Sequence, residues 1–106
     1  MYPNLQLALN GQYFDAIKSG EKVEEYRLYN DYWKKRIIDR DYDALILTRG
    51  YPSKDDDSKR ITLVWHGYEI KEITHPHFGD EPVEVFAIKA DYKWRVLPIN
   101  SGDMFG

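Results

Sequence analysis

Lys22, Glu25 and Arg27 fall within the stretch SGEKVEEYR, residues 19–27, where side chains of both charges surround one Val and one Tyr. Alternate residues of an extended chain share a face, so Glu25 and Arg27 are placed side by side and can hold each other in position. Lys22 sits just after a glycine, at a turn, from where its flexible ammonium can reach whatever enters the space beside the strand. Lys and Arg suit phosphate or carbonyl oxygen, whereas Glu accepts from an exocyclic amine or moves a proton. The plainer alternative is a solvated strand face with a surface ion pair, which contributes little stability.

Other groupings carry weaker chemistry. Lys34, Lys35 and Arg36 are contiguous, so on a helix they fan across roughly 200° and form no tight patch. With Arg27 and Arg49 they can still contact phosphates beside a cleft, or simply make a solvated helix face. His75, His77 and Asp80 occur in THPHFGD, but a Pro stiffens that loop and no third metal ligand is clearly placed, so turn chemistry and capping explain it and no metal is expected. KDDDSKR (54–60) lacks the alternating carboxylates of a calcium loop and reads as a mobile, solvated hairpin tip. Among the aromatics, Tyr26 and Trp65 are expected in the core. Tyr29, on the face of Glu25 and Arg27, and Tyr51, just past a strand end, can stack a planar ring.

These residues need elements to position them. The run LQLAL (5–9) reads as a first strand. Asn10 offers a helix N-cap, Phe14 and Ile17 share one face of the helix that follows, and Gly20 can end it with positive φ. From 23 to 29 the pattern has period two, with Val23, Glu25, Arg27 and Tyr29 on one side. Asn30 is a second N-cap, opening a helix through DYWKKRIID with Trp33 and Ile37 four apart. YDALILT (42–48) reads as a buried central strand, RGYPSKDDDSKR as a long hairpin loop, and ITLVWHGYEIKEIT (61–74) as strand with a bend or bulge at Gly67. VEVFAIKADYKWRVL (83–97) supplies one or two closing strands. The predicted class is α+β: both helices come early, and about five to six strands curl into a small barrel or strongly bent sheet.

A chain of 106 residues makes one domain, taken here as residues 1–98, with 99–106 as a flexible tail. A formal charge of −3 argues against binding that depends on a general basic excess, though it leaves room for a local basic patch. With no cysteine, disulfides, thiolate catalysis and thiolate metal sites are excluded. No apolar run has membrane-spanning length and no signal peptide is evident, so a cytoplasmic, monomeric protein without cofactor is expected.

The segment YFDAIKSGEKVEEYR resembles the signature of the ASCH domain, a PUA-like small β-barrel family with a G-x-K-x-x-E-x-R pattern after its first helix. Gly20, Lys22, Glu25 and Arg27 match it, Phe14 and Ile17 fit upstream, and the element order agrees from residue 5 to about 97. The resemblance implies a cleft between barrel and helices that takes RNA or a nucleotide. Lys22 and Arg27 would contact phosphate or carbonyl oxygen, Glu25 would orient Arg27 or accept from a base amine, Tyr29 would join the ligand site, and Arg49 and Tyr51 would stand at the rim. Similar proteins include amidohydrolases acting on acylated cytidine, which use a Lys, a Thr three residues on and a later Glu. Lys22 matches the Lys, but Glu25 stands where the Thr would be, and Glu69, Glu72, Glu81 and Glu84 compete for the last place. A small hydrolase with Lys22 and Glu25 as catalytic pair, acting on a modified nucleoside or as a nuclease, is therefore the alternative. A third reading is a protein-interaction module presenting its aromatic surface.

Overall fold

The computed structural model describes residues 1–96. Six strands and two α-helices follow one another as β1 (Asn4–Leu9), α1 (Gly11–Ser19), β2 (Glu24–Leu28), α2 (Asp31–Ile37), β3 (Ala44–Arg49), β4 (Arg60–Val64), β5 (Tyr68–Ile73) and β6 (Val83–Lys89). This is the α+β arrangement expected, with both helices in the first half of the chain.

The helix boundaries follow from capping. The Asn10 side chain accepts a hydrogen bond from the Tyr13 N–H at 2.9 Å, and the Asn30 side chain does the same for Trp33 at 3.0 Å, each satisfying a donor that the first helical turn leaves free. Gly20 closes α1 at φ 85°, and its N–H returns to the Ile17 carbonyl, a left-handed conformation that costs glycine little. Phe14 and Ile17, three apart, are the buried residues of α1.

The strands form two three-stranded sheets. In the first, β3 lies between β1, which runs parallel to it, and antiparallel β4. In the second, β6 lies between β2 and β5, both antiparallel to it. Alternation places Leu5, Leu7 and Leu9 of β1 inward, while the central strand β6 is buried continuously from Val85 to Ile88. One core joins both sheets to the helices: Leu7, Leu45, Leu47 and Leu63 from the first sheet meet Phe86 and Ile88 from the second, with Phe14, Ile17 and Ile37 against them.

Two expectations change. Among the described residues the two sheets do not close into a barrel. The 61–74 stretch is two strands in different sheets: the chain leaves the first sheet at Val64 and enters the second at Tyr68, turning at Gly67 with φ 83°. That glycine is the bend foreseen, and it redirects the chain between layers. After β6 the chain makes a 3-10 turn at Tyr92–Trp94 and an isolated bridge from Arg95 to Leu63, so among the described residues β6 is the one full closing strand, within the one or two expected. The loop after β3 is a hairpin connection ending in a 3-10 turn, Asp57–Lys59, and the Arg60 guanidinium reaches back to the Ser53 carbonyl at 2.7 Å. The tail expected at 99–106, and the last residues of the predicted domain, lie outside the described residues. No helix among the described residues is long and apolar enough to cross a membrane.

Candidate functional site

The turn at Gly20 is followed by a hydrogen bond from the Lys22 N–H to the Ala16 carbonyl, which sets Lys22 beside the start of β2. Its ammonium donates to the Glu24 carbonyl and lies 3.3 Å from Glu25 Oε1. Arg27 Nη1 approaches Glu25 Oε2 at 2.6 Å and donates to the Tyr26 carbonyl. The same guanidinium reaches across to the first sheet, where Nη2 donates to the Ala8 carbonyl at 3.0 Å. Arg27 therefore bridges the edge strands β2 and β1 where no backbone ladder joins them, a task suited to a planar group with several fixed donors. Glu25 is only 3% exposed, and both its oxygens are engaged by cations.

This cluster forms one wall of a cavity of about 360 Å³ bordered also by the end of β1, by Tyr13 of α1, by Trp33 of α2 and by His75, His77 and Phe78. Aromatic rings and cations alternate around it. Lys22 Nζ lies 4.4 Å from the Tyr26 ring centre and 5.5 Å from that of Tyr13, and the Arg27 guanidinium lies 5.3 Å from the Trp33 ring, all within cation–π range. His75 stands edge-on to Tyr13 at 5.6 Å and to Tyr26 at 6.0 Å. The 3-10 turn Pro76–Phe78 carries the histidines, and His75 caps it by accepting the His77 N–H on Nδ1 at 3.1 Å.

The chain matches no protein-family model, no curated protein and no solved structure.

Lys22, Glu25 and Arg27 come together as their spacing predicts. Tyr29 does not join them. Its N–H still bonds to the Glu84 carbonyl of β6 at 3.0 Å, so the pairing and the alternation run on past Leu28, the last residue of β2. The Tyr29 ring packs instead on Phe86 at 5.0 Å, with the Lys34 ammonium 4.2 Å from its centre. Arg49 pairs with Asp15 of α1 at 3.2 Å, and a Cβ at Gly11 would meet its guanidinium at 2.5 Å. Tyr51 is 95% exposed in the loop beyond β3. Neither is among the residues lining the cavity. In the basic run, Arg36 stacks on Tyr32 at 3.5 Å, so it is held by its own helix. Among the described residues no group of three or more His, Asp and Glu side chains gathers as a metal site.

Tyr13, Tyr26, Trp33, His75, His77 and Phe78 are cavity residues that the sequence reading did not assign. Tyr26 was expected in the core, but it pairs with Ala87 on the face of β2 opposite to Glu25 and Arg27, whose partners Ile88 and Phe86 belong to the core, and its ring lies half-buried under Lys22. The histidine turn showed only its capping chemistry, because nothing local relates residue 75 to residue 13.

Behind the cavity wall, Glu24 accepts from Lys71 at 2.8 Å and from the Tyr26 hydroxyl at 3.1 Å. Burial pushes its carboxyl up, but the bonds from Lys71 and Tyr26, with the charges of Lys71 and Lys22, outweigh that and hold it below the ordinary 4.5. Burial, and then the neighbouring Glu24, push the Tyr26 phenol up, so it remains a donor committed to Glu24. A carboxyl with a depressed folded pKa stabilises the fold above its ordinary value, and the contribution is lost as pH falls through the folded value. Glu24→Gln is therefore expected to make unfolding stability less steep in pH between about pH 5 and pH 3, a small effect because the pair is partly solvated. Chemical denaturation at several pH values measures it, and an unchanged slope would show the pair contributing nothing.

Proposed function

We propose that the protein is an ASCH-type domain of PUA-like kind that binds a nucleotide, free or within single-stranded RNA, by taking its base into this cavity. One observation carries the reading: Glu25, almost fully buried, is held between Lys22 and Arg27 at the wall of an aromatic cavity. Burying such a cluster is costly, and an apolar cluster of the same volume serves stability as well or better. Its retention is understandable where charge must be presented to a ligand. The volume falls near the lower end of the roughly 300–1,000 Å³ usual for small-molecule sites, which suits one base and its sugar and excludes a duplex. Tyr13, Tyr26 and Trp33 provide ring surfaces of the kind that stack unpaired bases. Lys22 contacts the ligand, Glu25 orients Arg27, and Arg27 serves both the seam and the site.

A second reading has a specific observation in its favour. Lys22 and Glu25 touch at the cavity wall, the arrangement a hydrolase of modified nucleosides would use for proton transfer. Engagement of both Glu25 oxygens favours binding over general-base work.

The test is a chemical-shift titration of the labelled protein with nucleosides, nucleotides and short single-stranded RNAs at low and moderate salt. Shifts are expected at residues 20–28 and 75–78 and at the Trp33 indole, and hours of sampling would reveal any turnover. Absence of shifts at those positions across the panel overturns the proposal.

A further inference from the structure

The polar groups that the cavity residues have left over are predominantly donors. Asn10 spends its carbonyl oxygen on the Tyr13 N–H, leaving its NH₂. Lys22 has one N–H beyond those directed at Glu24 and Glu25. Arg27 uses Nη1 on Glu25 and Tyr26 and one N–H of Nη2 on Ala8, keeping Nε–H and the other. Trp33 can only donate. The carboxylate that might accept, Glu25, has a cation on each oxygen.

His75 completes the pattern. A backbone N–H can only donate, so the bond from His77 to Nδ1 requires a lone pair there, and the neutral imidazole must carry its proton on Nε2. Nδ1 is tied into the turn, so the opposite edge of the ring is the one left to a ligand. Among the described residues Nε2 has no protein partner and is not a buried orphan. Lys22 and His75 thus border the same two rings, Tyr13 and Tyr26, with a donor on each. The Tyr13 hydroxyl and the His77 ring can serve either way, and the Tyr26 oxygen, whose proton goes to Glu24, can still accept.

Resting on the nucleotide-binding reading, we infer that the cavity selects a base with a keto oxygen at the pyrimidine 4-position, as in uracil, over one with an amino group there, as in cytosine, with Lys22 and His75 Nε2–H as the discriminating donors at that position. Uracil offers carbonyl oxygen at the position where cytosine carries an exocyclic NH₂. The amino group would meet donors and cations, leaving groups on both sides unpaired.

The experiment titrates wild type and His75→Asn with uridine, cytidine, their 5′-monophosphates and inorganic phosphate, and reads the His75 tautomer in long-range proton–nitrogen spectra of the free protein. In H75N the Asn oxygen replaces Nδ1 as acceptor of the His77 N–H, as in an Asx turn, so the turn persists while the Nε2 donor is lost. Uridine is expected to bind roughly tenfold tighter than cytidine, with the same preference between the monophosphates, and H75N to lose about fivefold for uridine and little for cytidine. The spectra should show Nε2–H. A proton on Nδ1, or uridine and cytidine binding alike while shifts still map to the cavity, overturns the inference and leaves the nucleotide reading standing. Inorganic phosphate displacing both equally also overturns it, by assigning the donors to phosphate. No response to any nucleoside or nucleotide overturns both.

Discussion

Glu25→Ala is expected to lower the stability of the domain by about 3 kcal/mol, because removing one member of a buried ionic cluster strands the others. Glu25 is the common partner of Lys22 and Arg27, whose side chains are only 17% and 18% exposed. Without it the two cations face each other across a space too small to hydrate them fully. Arg27 cannot easily withdraw, since its guanidinium also bonds to Ala8 of the neighbouring sheet and to the Tyr26 carbonyl. For a domain of this size the loss corresponds to a fall in Tm of more than about 10 °C. Glu25→Gln should fall between, keeping the shape and one acceptor while losing the charge. Replacing Lys22, Glu25 and Arg27 together by Met, Leu and Met should recover much of the loss, because an apolar cluster escapes the desolvation cost. Thermal and chemical unfolding of the three variants decide the matter. If Glu25→Ala melts like wild type, the charges are a solvated pair and the case for a built site falls with them.

The parts of this arrangement that depend on local chemistry were legible in the sequence. Asn10, Asn30 and Gly20 act at the helix ends where their side chains and conformational freedom place them. Period-two spacing brought Glu25 and Arg27 to one face, and Lys22 lies one turn before them. What stayed hidden depends on how sheets assemble. Nothing in residues 61–74 says that Gly67 hands the chain from one sheet to another. β2 is an edge strand of a sheet that does not close on the first, and Arg27 reaches from it to Ala8, while Tyr26 lies on the face of β2 opposite to the core. Tyr29 keeps the alternation, but its ring is taken up by Phe86 and Lys34 and is not among the residues lining the cavity. The aromatic half of the cavity comes from α1, α2 and a turn far along the chain, and its assembly is tertiary.

Lys22→Ala is expected to weaken ligand binding by roughly ten- to a hundredfold, the range for losing a charge-assisted hydrogen bond, while costing little stability. The separation follows from how each cation is held. Arg27 ties β2 to β1, so its removal damages the fold and the site together. Lys22 enters from the turn after α1; among the described residues its ammonium meets the Glu24 carbonyl and Glu25, and it leans on the Tyr26 ring. When it is removed, Glu25 keeps Arg27 at 2.6 Å and the seam is untouched, so a loss of about 1 kcal/mol or less is expected. The salt dependence of binding identifies the atom that Lys22 contacts. A phosphate contact contributes about one to the slope of log K against log salt, so its removal flattens the slope. A carbonyl contact leaves the slope of a nucleoside near zero in both proteins while the affinity still falls. Binding of uridine and uridine monophosphate to wild type and K22A at several salt concentrations, alongside their melting curves, gives both readings. Equal affinity together with equal melting would remove Lys22 from the site and return the SGEKVEEYR stretch to a structural pairing of charges.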